Sequence, residues 1–288
     1  MKRILRLVVV LVLVLFAIVA LRLWPSIRAA QGKAEPVFDQ VPPALPEALG
    51  RGGAVAVLVF SKTNGFRHEE AIPACERSVR EIAARRGWEV FATENGAVFD
   101  DALLSRFRVV VANNATGDNW NASQREAFQR FVREGGGFVG VHGAAGTRYR
   151  FWDWYTDELL HGRFIGHPIF PQLQTARVVV EDPTHPAMAR LGASFEHEDE
   201  WYSFEESARA PGVRVLASLD ESTYSARDWR SLAMGDHPIV WSHCRGGGRV
   251  FYSALGHGAA TYERPEHARM LEGAIAWAAG LEGECAAP

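Results

Sequence analysis

A glycine-rich segment that ends in a histidine constrains the fold of this chain more than any other stretch. It covers residues 136–144 and has the sequence GGFVGVHGA. The small residues let a short apolar strand end in a tight turn, which holds one side chain clear of the sheet at the carboxyl ends of the strands. Enzymes with a nucleophile at such a turn have Ser or Cys there, whereas this chain has His142. The segment predicts an α/β sheet with an imidazole suited to acid–base chemistry or metal ligation, and a turn-capping histidine is the alternative.

Short apolar runs alternate with runs of helical periodicity along the chain, and several of the helical runs stop at glycine. This order predicts an α/β domain of three layers, flavodoxin-like, with a mostly parallel sheet flanked by helices. The turn at 245–248 suits an antiparallel pair of strands. The predicted strands are 54–60, 88–93, 109–112, 138–141, 175–181, 213–219, 238–243 and 249–254, and the predicted helices are 70–86, 123–134, opened by a capping box at Ser123, and 265–279.

The amino-terminal segment differs from the rest of the chain. Residues 4–24 are apolar apart from Arg6 and Arg22. At about 1.5 Å per residue, such a helix reaches across the hydrocarbon core of a bilayer. We therefore predict a hydrophobic helix that anchors the protein in a membrane, with the domain facing the periplasm or the cell exterior. A secretory signal is the alternative, which would give a secreted protein, but no small-x-small cleavage site follows the run.

The chain is predicted to have four regions. They are an anchor or signal at 1–24, a Pro-containing linker at 25–52, the α/β domain at 53–281 and a tail at 282–288. The domain has more acidic than basic residues and no cluster of Lys or Arg, which excludes a nucleic-acid partner. The sequence leaves open whether the chain forms a homo-oligomer.

The three cysteines, Cys75, Cys244 and Cys285, are odd in number and widely spaced. This pattern implies no disulfide framework, and at most one pair can form. Cys75 falls in a predicted helix and Cys244 at a predicted strand end, so both are expected as small buried residues.

Polar clusters lie at four predicted strand ends or in the loops after them. They contribute His68, His142, Glu200 and His257. Because the carboxyl ends of parallel strands meet at one edge of the sheet, we expect these four side chains to line one pocket.

Five sequence blocks carry a family resemblance. They are NGFRH at 64–68, GGFVGVH at 136–142, DEWY at 199–202, HPIVW at 237–241 and GRVFYSALGH at 248–257. In this order they resemble the trehalose-utilisation, or ThuA-like, domain over residues 54–280. The resemblance implies a fold similar to that of the class I glutamine amidotransferases and a role in the metabolism of trehalose or 3-keto sugars. The amidotransferases have a Cys at the turn, so His142 argues against thiolate chemistry in this chain.

A carbohydrate ligand also agrees with the residue types. Several of the nine Trp residues, among them Trp152, Trp201 and Trp229, lie in or near predicted loops. An indole can pack on the apolar face of a pyranose while polar side chains bind its hydroxyls. The residues predicted to contact a substrate are Arg67, Asn64, Tyr202, Trp201 and Trp152.

Three functional hypotheses follow for the four residues His68, His142, Glu200 and His257. In the first, His142 and His257 transfer protons, and His68 and Glu200 orient them or exchange protons, on a disaccharide or 3-keto sugar. Hydrolysis, elimination with hydration, or isomerisation would result. In the second, the four residues bind a divalent metal such as Zn²⁺. The absence of a local ligand spacing favours the first over the second. The third is a sugar-binding module without catalysis.

Overall fold

A computed structural model describes residues 2–30, 35–147 and 151–285. Its helices are α1 (Lys2–Ala30), α2 (Ala71–Arg86), α3 (Asp101–Leu104), α4 (Ala122–Arg133), α5 (Ala259–Glu263) and α6 (Pro265–Ala278). Its strands are β1 (Ala56–Phe60), β2 (Glu89–Thr93), β3 (Val109–Asn113), β4 (Gly137–Val141), β5 (Phe164–Gly166), β6 (Leu173–Val180), β7 (Ser194–Glu200), β8 (Ser203–Phe204), β9 (Val213–Asp220), β10 (Pro238–Arg245) and β11 (Gly248–Ser253).

A sheet of nine strands runs through the described residues in the order β2-β1-β3-β4-β11-β10-β9-β6-β7. The strands from β2 to β11 pair in parallel, and the pairs from β11 to β7 are antiparallel. The predicted α/β fold with a parallel centre is therefore confirmed, and the glycine turn does join an antiparallel pair, β10 and β11. Beyond that pair, the antiparallel half of the sheet was not predicted. A separate short pair is formed by β5 and β8.

The parallel strands and the antiparallel edge differ in sequence because they differ in burial. All five positions of β1, β3 and β4 are buried, which agrees with their unbroken apolar runs. In β7, buried and exposed positions alternate, and most of its residues are charged. The sequence indicated only an acidic segment there, since a strand with polar residues on both faces lacks the hydrophobic signal of a strand.

Helices pack on both faces of the sheet, as predicted. On β4, neighbouring residues point to opposite faces. Gly137 faces α6 so closely that a Cβ atom there would lie 2.3 Å from the carbonyl oxygen of Ala278. Phe138 packs on the other face against Phe128 of α4, with ring centroids 5.7 Å apart. The glycine-rich strand is therefore held between a close helix on one face and an aromatic cluster on the other.

The start of α4 corrects the predicted capping box. The Asn121 side chain accepts a hydrogen bond from the Gln124 backbone, and the Gln124 side chain accepts one from the Asn121 backbone. This reciprocal pair caps the helix two residues before the predicted Ser123, because Asn121 also offers a side-chain oxygen and has Gln three residues later.

The predicted terminal regions are partly described. Met1 and residues 31–34 and 286–288, which belong to the predicted anchor, linker and tail, lie outside the described residues. The predicted amino-terminal helix is present as α1. In the part of the chain that the structure describes, no helix is long and apolar enough to cross a membrane. The membrane span predicted within residues 1–24 is therefore not supported.

The predicted linker, 25–52, is corrected at its start, because residues 25–30 continue helix α1. Residues 35–52 have no helix or strand, yet they are fixed to the domain. The Asp39 carboxylate accepts hydrogen bonds from the Lys62 ammonium group at 2.7 Å and from the Gly96 backbone at 2.8 Å. Leu49 is buried in the core. Because of these contacts, this segment is a strap on the domain surface and not a free tether.

One pair of cysteines forms a disulfide, which is the number that the sequence allowed. Cys244 at the end of β10 is bonded to Cys285, 41 residues later. Cys244 is exposed, so the expectation that it is a small buried residue was wrong. Cys75 is buried in α2, as predicted.

Candidate functional site

Four side chains meet at the carboxyl edge of the sheet. His68 lies in the loop after β1, His142 directly after β4, Glu200 at the end of β7 and His257 in the loop after β11. Each offers one ligand atom, and these atoms all lie within 4.8 Å of one another. The predicted convergence is therefore observed. Because β7 is the edge strand and β4 is central, the antiparallel half of the sheet curls over the ends of the parallel strands.

The backbone turn at His142 agrees with the predicted strand-to-turn geometry. His142 has φ +41°, in the left-handed region that few residues other than glycine adopt. The Tyr252 hydroxyl donates to its carbonyl oxygen at 3.0 Å, and the next backbone N–H, from Gly143, donates to the Asn114 side chain at 3.2 Å. A Cβ atom at Gly143 would lie 2.9 Å from a methyl group of Thr116. The small residue after His142 therefore lets the turn pack against the loop that follows β3.

One contact fixes which ring nitrogen of His142 carries hydrogen. Nδ1 lies 2.6 Å from the carbonyl oxygen of Ala254, which can only accept a hydrogen bond. Nδ1 is therefore the protonated nitrogen, and in the neutral ring Nε2 has a free lone pair. Nε2 faces the Glu200 carboxylate, with 3.3 Å to Oε2.

The polar atoms at the centre of the site approach one another without forming hydrogen bonds. His257 Nδ1 lies 3.2 Å from the same Glu200 oxygen. Even so, His68 Nδ1, His142 Nε2 and His257 Nδ1 are buried and have no hydrogen-bond partner in the described residues. None of these three nitrogens is oriented to form a hydrogen bond with another group of the cluster, and all three lie around one common space. This arrangement has the chemistry of a metal site, because three imidazole nitrogens and one carboxylate oxygen are ligands that Zn²⁺ prefers.

The charges at the site are set by burial and by mutual proximity. Burial, and the neighbouring His142 and His257, lower the pKa of His68 to about 2, so its ring is neutral at physiological pH. Burial acts to raise the pKa of Glu200, but the adjacent imidazoles of His142 and His257 hold it well below its usual range. The site thus has an ionised carboxylate beside a neutral imidazole, which favours a bound cation.

Asp199 holds the loop that carries His257, and the sequence analysis did not single it out. The buried Asp199 carboxylate accepts hydrogen bonds from the backbone N–H groups of Gly256 at 2.8 Å and His257 at 3.0 Å. It also accepts one from the Thr261 hydroxyl at 3.1 Å. Burial opposes its ionisation, but His197, His142 and the Gly256 backbone donor lower its pKa below the usual range. The DEWY block gave a signal for it, since Asp199 is adjacent to Glu200.

Two further residues contact Glu200 and were missed. His167 Nδ1 lies 3.1 Å from Oε1 of Glu200, and the Gln172 side chain donates to the same oxygen at 2.5 Å. Both follow the short strand β5, in a stretch without periodicity that the sequence analysis left unassigned. No local sequence signal distinguishes them.

The residues predicted to contact a substrate lie in different places. Tyr202 packs on the His142 ring, with centroids 4.1 Å apart, so it belongs to the site. Arg67 is paired with Glu94 and Glu69 on the surface. The side-chain amide of Asn64 donates to the backbone carbonyls of Val37 and Asp118.

The two predicted tryptophan contacts are not placed in the site. Trp201 is fully buried and its indole N–H donates to the carbonyl of Gln174, so its predicted role as a stacking surface is corrected to core packing. Trp152 packs among Trp120, Trp154 and Tyr155 and has no aromatic contact with the four clustered residues. Trp201 follows directly after β7, which the sequence indicated only as a loop. The sequence therefore did not show that its indole packs into the core.

The site opens toward solvent on one side. The side chains of His142 and Glu200 are 0% and 3% exposed, whereas those of His257 and His167 are 18% and 26% exposed. Among the described residues around Glu200, His257 and His167 are thus the side chains that a ligand can contact from solvent.

Comparisons with known proteins agree with this fold. The family model described as ThuA, trehalose utilisation, matches residues 56–278. A ThuA-like protein from Bacteroides uniformis superposes with a TM-score of 0.68 at 23% identity, over 83% of this chain and 95% of that one. One from Parabacteroides merdae has a TM-score of 0.57 at 21% identity, over 78% and 90%. No curated protein shows a significant match to the sequence.

Proposed function

The chain belongs to the trehalose-utilisation (ThuA) family, and from this premise we propose that it is an enzyme of carbohydrate metabolism with a metal-binding active site. His68, His142, Glu200 and His257 would bind one divalent ion such as Zn²⁺. The substrate would be a disaccharide or a 3-keto sugar, and the domain would act outside the cytoplasm.

The observation that carries this proposal is the set of buried nitrogens without hydrogen-bond partners. Leaving a buried polar atom unsatisfied costs about 1–3 kcal/mol, so three such atoms around one carboxylate would destabilise the fold. A cation between them would remove that cost. The lack of a local ligand spacing, which counted against a metal in the sequence, is explained by ligands that come from four separate strand ends.

A bound divalent ion would supply Lewis acidity, polarising a sugar carbonyl or lowering the pKa of a water molecule. The residues of the chain have separate roles around it. The carbonyl of Ala254 fixes the tautomer and orientation of His142, and Asp199 fixes the backbone of His257. Tyr202 packs on the His142 ring and limits its rotation. His167 is 26% exposed and contacts Glu200, so it could also contact a ligand that enters from solvent.

A keto sugar suits this arrangement because its carbonyl makes the neighbouring C–H bonds acidic. A base at the opening could remove that proton, and an acid could protonate the departing glycosidic oxygen. Elimination followed by hydration would then cleave the glycosidic bond. His167, which is outside the proposed ligand set and 26% exposed, is the side chain placed to exchange these protons.

The disulfide supports the proposed location. Disulfides persist in secreted and periplasmic proteins and are rare in the cytosol. The Cys244–Cys285 bond therefore favours the periplasm or the cell exterior.

Metal content tests the proposal. The purified chain is expected to hold one equivalent of metal by elemental analysis. His142→Ala and Glu200→Gln should reduce that content sharply, and added Zn²⁺ should partly restore both metal and activity. The control is His185→Ala, which removes a buried imidazole elsewhere and should leave the metal content unchanged. Full occupancy in both site variants would contradict the ligand assignment.

A second candidate function, acid–base catalysis without metal, is favoured by one observation. Burial acts to lower the pKa of His257, but the adjacent Glu200 carboxylate raises it overall, which makes the pair a proton donor beside an acceptor. In this case activity would survive exhaustive treatment with a chelator. His142→Ala would then lower turnover by about 10²- to 10⁴-fold with no change in metal content.

A further inference from the structure

We propose that a cavity next to His167 is a subsite for one pyranose ring of a saccharide substrate, with Trp229 as its aromatic wall. The cavity has a volume of about 140 Å³ and is formed by residues 164–169 and 228–232. This proposal rests on the proposed function only in that the substrate is a saccharide, and it does not require a metal.

The cavity is adjacent to the catalytic cluster. His167 lines it and also lies 3.1 Å from Glu200 Oε1. Phe164, on the opposite wall, packs on Tyr202 with ring centroids 4.3 Å apart, and Tyr202 packs on His142. A ring bound in the cavity is therefore separated from the cluster by one side chain. The reacting part of the same ligand would extend past His167, on the side where the site is open.

The walls have the residue types that bind sugars. Trp229 is 72% exposed, although burying its indole would be favourable, and it is among the most exposed large apolar residues of the domain. Asp228 beside it is half-buried, and within residues 35–147 and 151–285 its carboxylate has no hydrogen bond or ion pair. Within the same residues, the Arg230 guanidinium donates one hydrogen bond, to the carbonyl of Ile165. An indole face, a carboxylate and a guanidinium can bind the C–H face and the hydroxyls of one pyranose.

The turn that presents these residues is held by hydrogen bonds. The backbone N–H of Leu232 donates to Ala226 at 2.9 Å, and that of Asp228 donates to Arg230 at 3.0 Å. The Ser203 hydroxyl, which is buried, donates to the carbonyl of Leu232 at 2.7 Å and ties the turn to β8. A fixed turn holds an aromatic wall in place before the ligand binds, which reduces the entropy lost on binding.

The size of the cavity selects one ring. Pockets that enclose a whole ligand have volumes of about 300–1,000 Å³. A cavity of about 140 Å³ is too small for a disaccharide and is suited to a single pyranose. The second unit of a disaccharide would lie toward His167, which makes this cavity a specificity subsite and not the place of the reaction.

Calorimetric titration of the metal-free full chain with trehalose, maltose and cellobiose tests the subsite. Trp229→Ala should weaken binding of the best of these ligands about tenfold, and Asp228→Asn should weaken it by a smaller factor. The matched control is Trp88→Ala, which removes a half-buried indole that packs under Arg86 far from the cavity, and it should bind as the wild type does. Thermal melting of each variant checks that it is folded.

The outcomes separate this inference from the proposed function. Sugar binding that depends on Trp229 in the metal-free chain would support the subsite, whether or not the purified chain holds metal, because metal content tests the metal site separately. If Trp229→Ala and Trp88→Ala bind equally well, or if no disaccharide binds the wild-type chain at millimolar concentration, the subsite is overturned, whatever the metal content.

Discussion

At the scale of single residues, the function of the site depends on side chains that orient other side chains. The sequence predicted His68, His142 and His257 because each follows a predicted strand, and Glu200 because it lies in an acidic segment. It did not predict Asp199, whose contacts are to backbone N–H groups. Such a role leaves no trace in spacing, since any acceptor at the right place would serve.

Asp199→Asn tests this role. One carboxylate oxygen would become an NH₂ group that faces the Gly256 and Thr261 donors, so one or two buried hydrogen bonds would be lost. We expect the free energy of unfolding to fall by about 1–3 kcal/mol and metal affinity to fall by about 10- to 100-fold. Urea denaturation and metal titration measure the two effects. Glu198→Gln, on the solvent side of the same strand, should change neither. Unchanged metal affinity in Asp199→Asn would show that His257 needs no such support.

At the scale of elements, the sequence predicted the apolar strands that are buried on both faces and missed the polar strand β7. β1, β3 and β4 are apolar throughout and were identified. β7 carries Glu200 and pairs with β6. No hydrophobic pattern within β7 itself indicates this pairing. Its charged residues lie both on the solvent side and in the site, so β7 lacks the alternation of apolar and polar residues by which a strand is recognised. The elements that form the scaffold were thus predictable, and the strand that completes the site was not.

The contact between β4 and α6 gives a test at this scale. Gly137→Ala would place a methyl group 2.3 Å from the carbonyl oxygen of Ala278, so the helix and strand would have to separate. Overpacking of this kind costs about 1–3 kcal/mol, measured by thermal or urea unfolding. Gly258→Ala is the control for space, because a Cβ atom there has no neighbour within 4 Å, and the loss of the glycine N-cap of α5 should cost less than about 1 kcal/mol. Equal stability of the two variants would show that α6 adjusts freely.

At the scale of the whole molecule, buried neutral histidines outside the site make stability depend on pH. Burial lowers the pKa of His185 and His243 to about 4 and that of His267 to about 3. In the unfolded chain a histidine has a pKa of about 6.5. The folded pKa is below the unfolded one, so the contribution to stability is complete above about pH 6.5 and is lost as pH falls toward 4.

Unfolding free energies should therefore decrease as the pH is lowered from about 6.5 to about 4.5. Each histidine contributes a slope of at most about 1.4 kcal/mol per pH unit. His243→Gln keeps a donor for the carbonyl of Leu159, which His243 Nε2 contacts at 2.7 Å, and removes one titrating group, so its slope should be smaller. Stability that is independent of pH in this range would contradict the neutral state of these residues.

The central claim is that three imidazole nitrogens and one carboxylate oxygen bind a divalent ion at the carboxyl edge of the sheet. X-ray absorption at the zinc edge of the purified full-length protein, loaded with one equivalent of Zn²⁺, tests it directly. We predict a shell of nitrogen and oxygen at about 2.0–2.2 Å with scattering from three imidazoles, and weaker imidazole scattering, from at most two histidines, in His142→Ala. Zinc bound through sulfur, zinc with oxygen ligands and no imidazole, or an identical spectrum in His142→Ala would contradict the account.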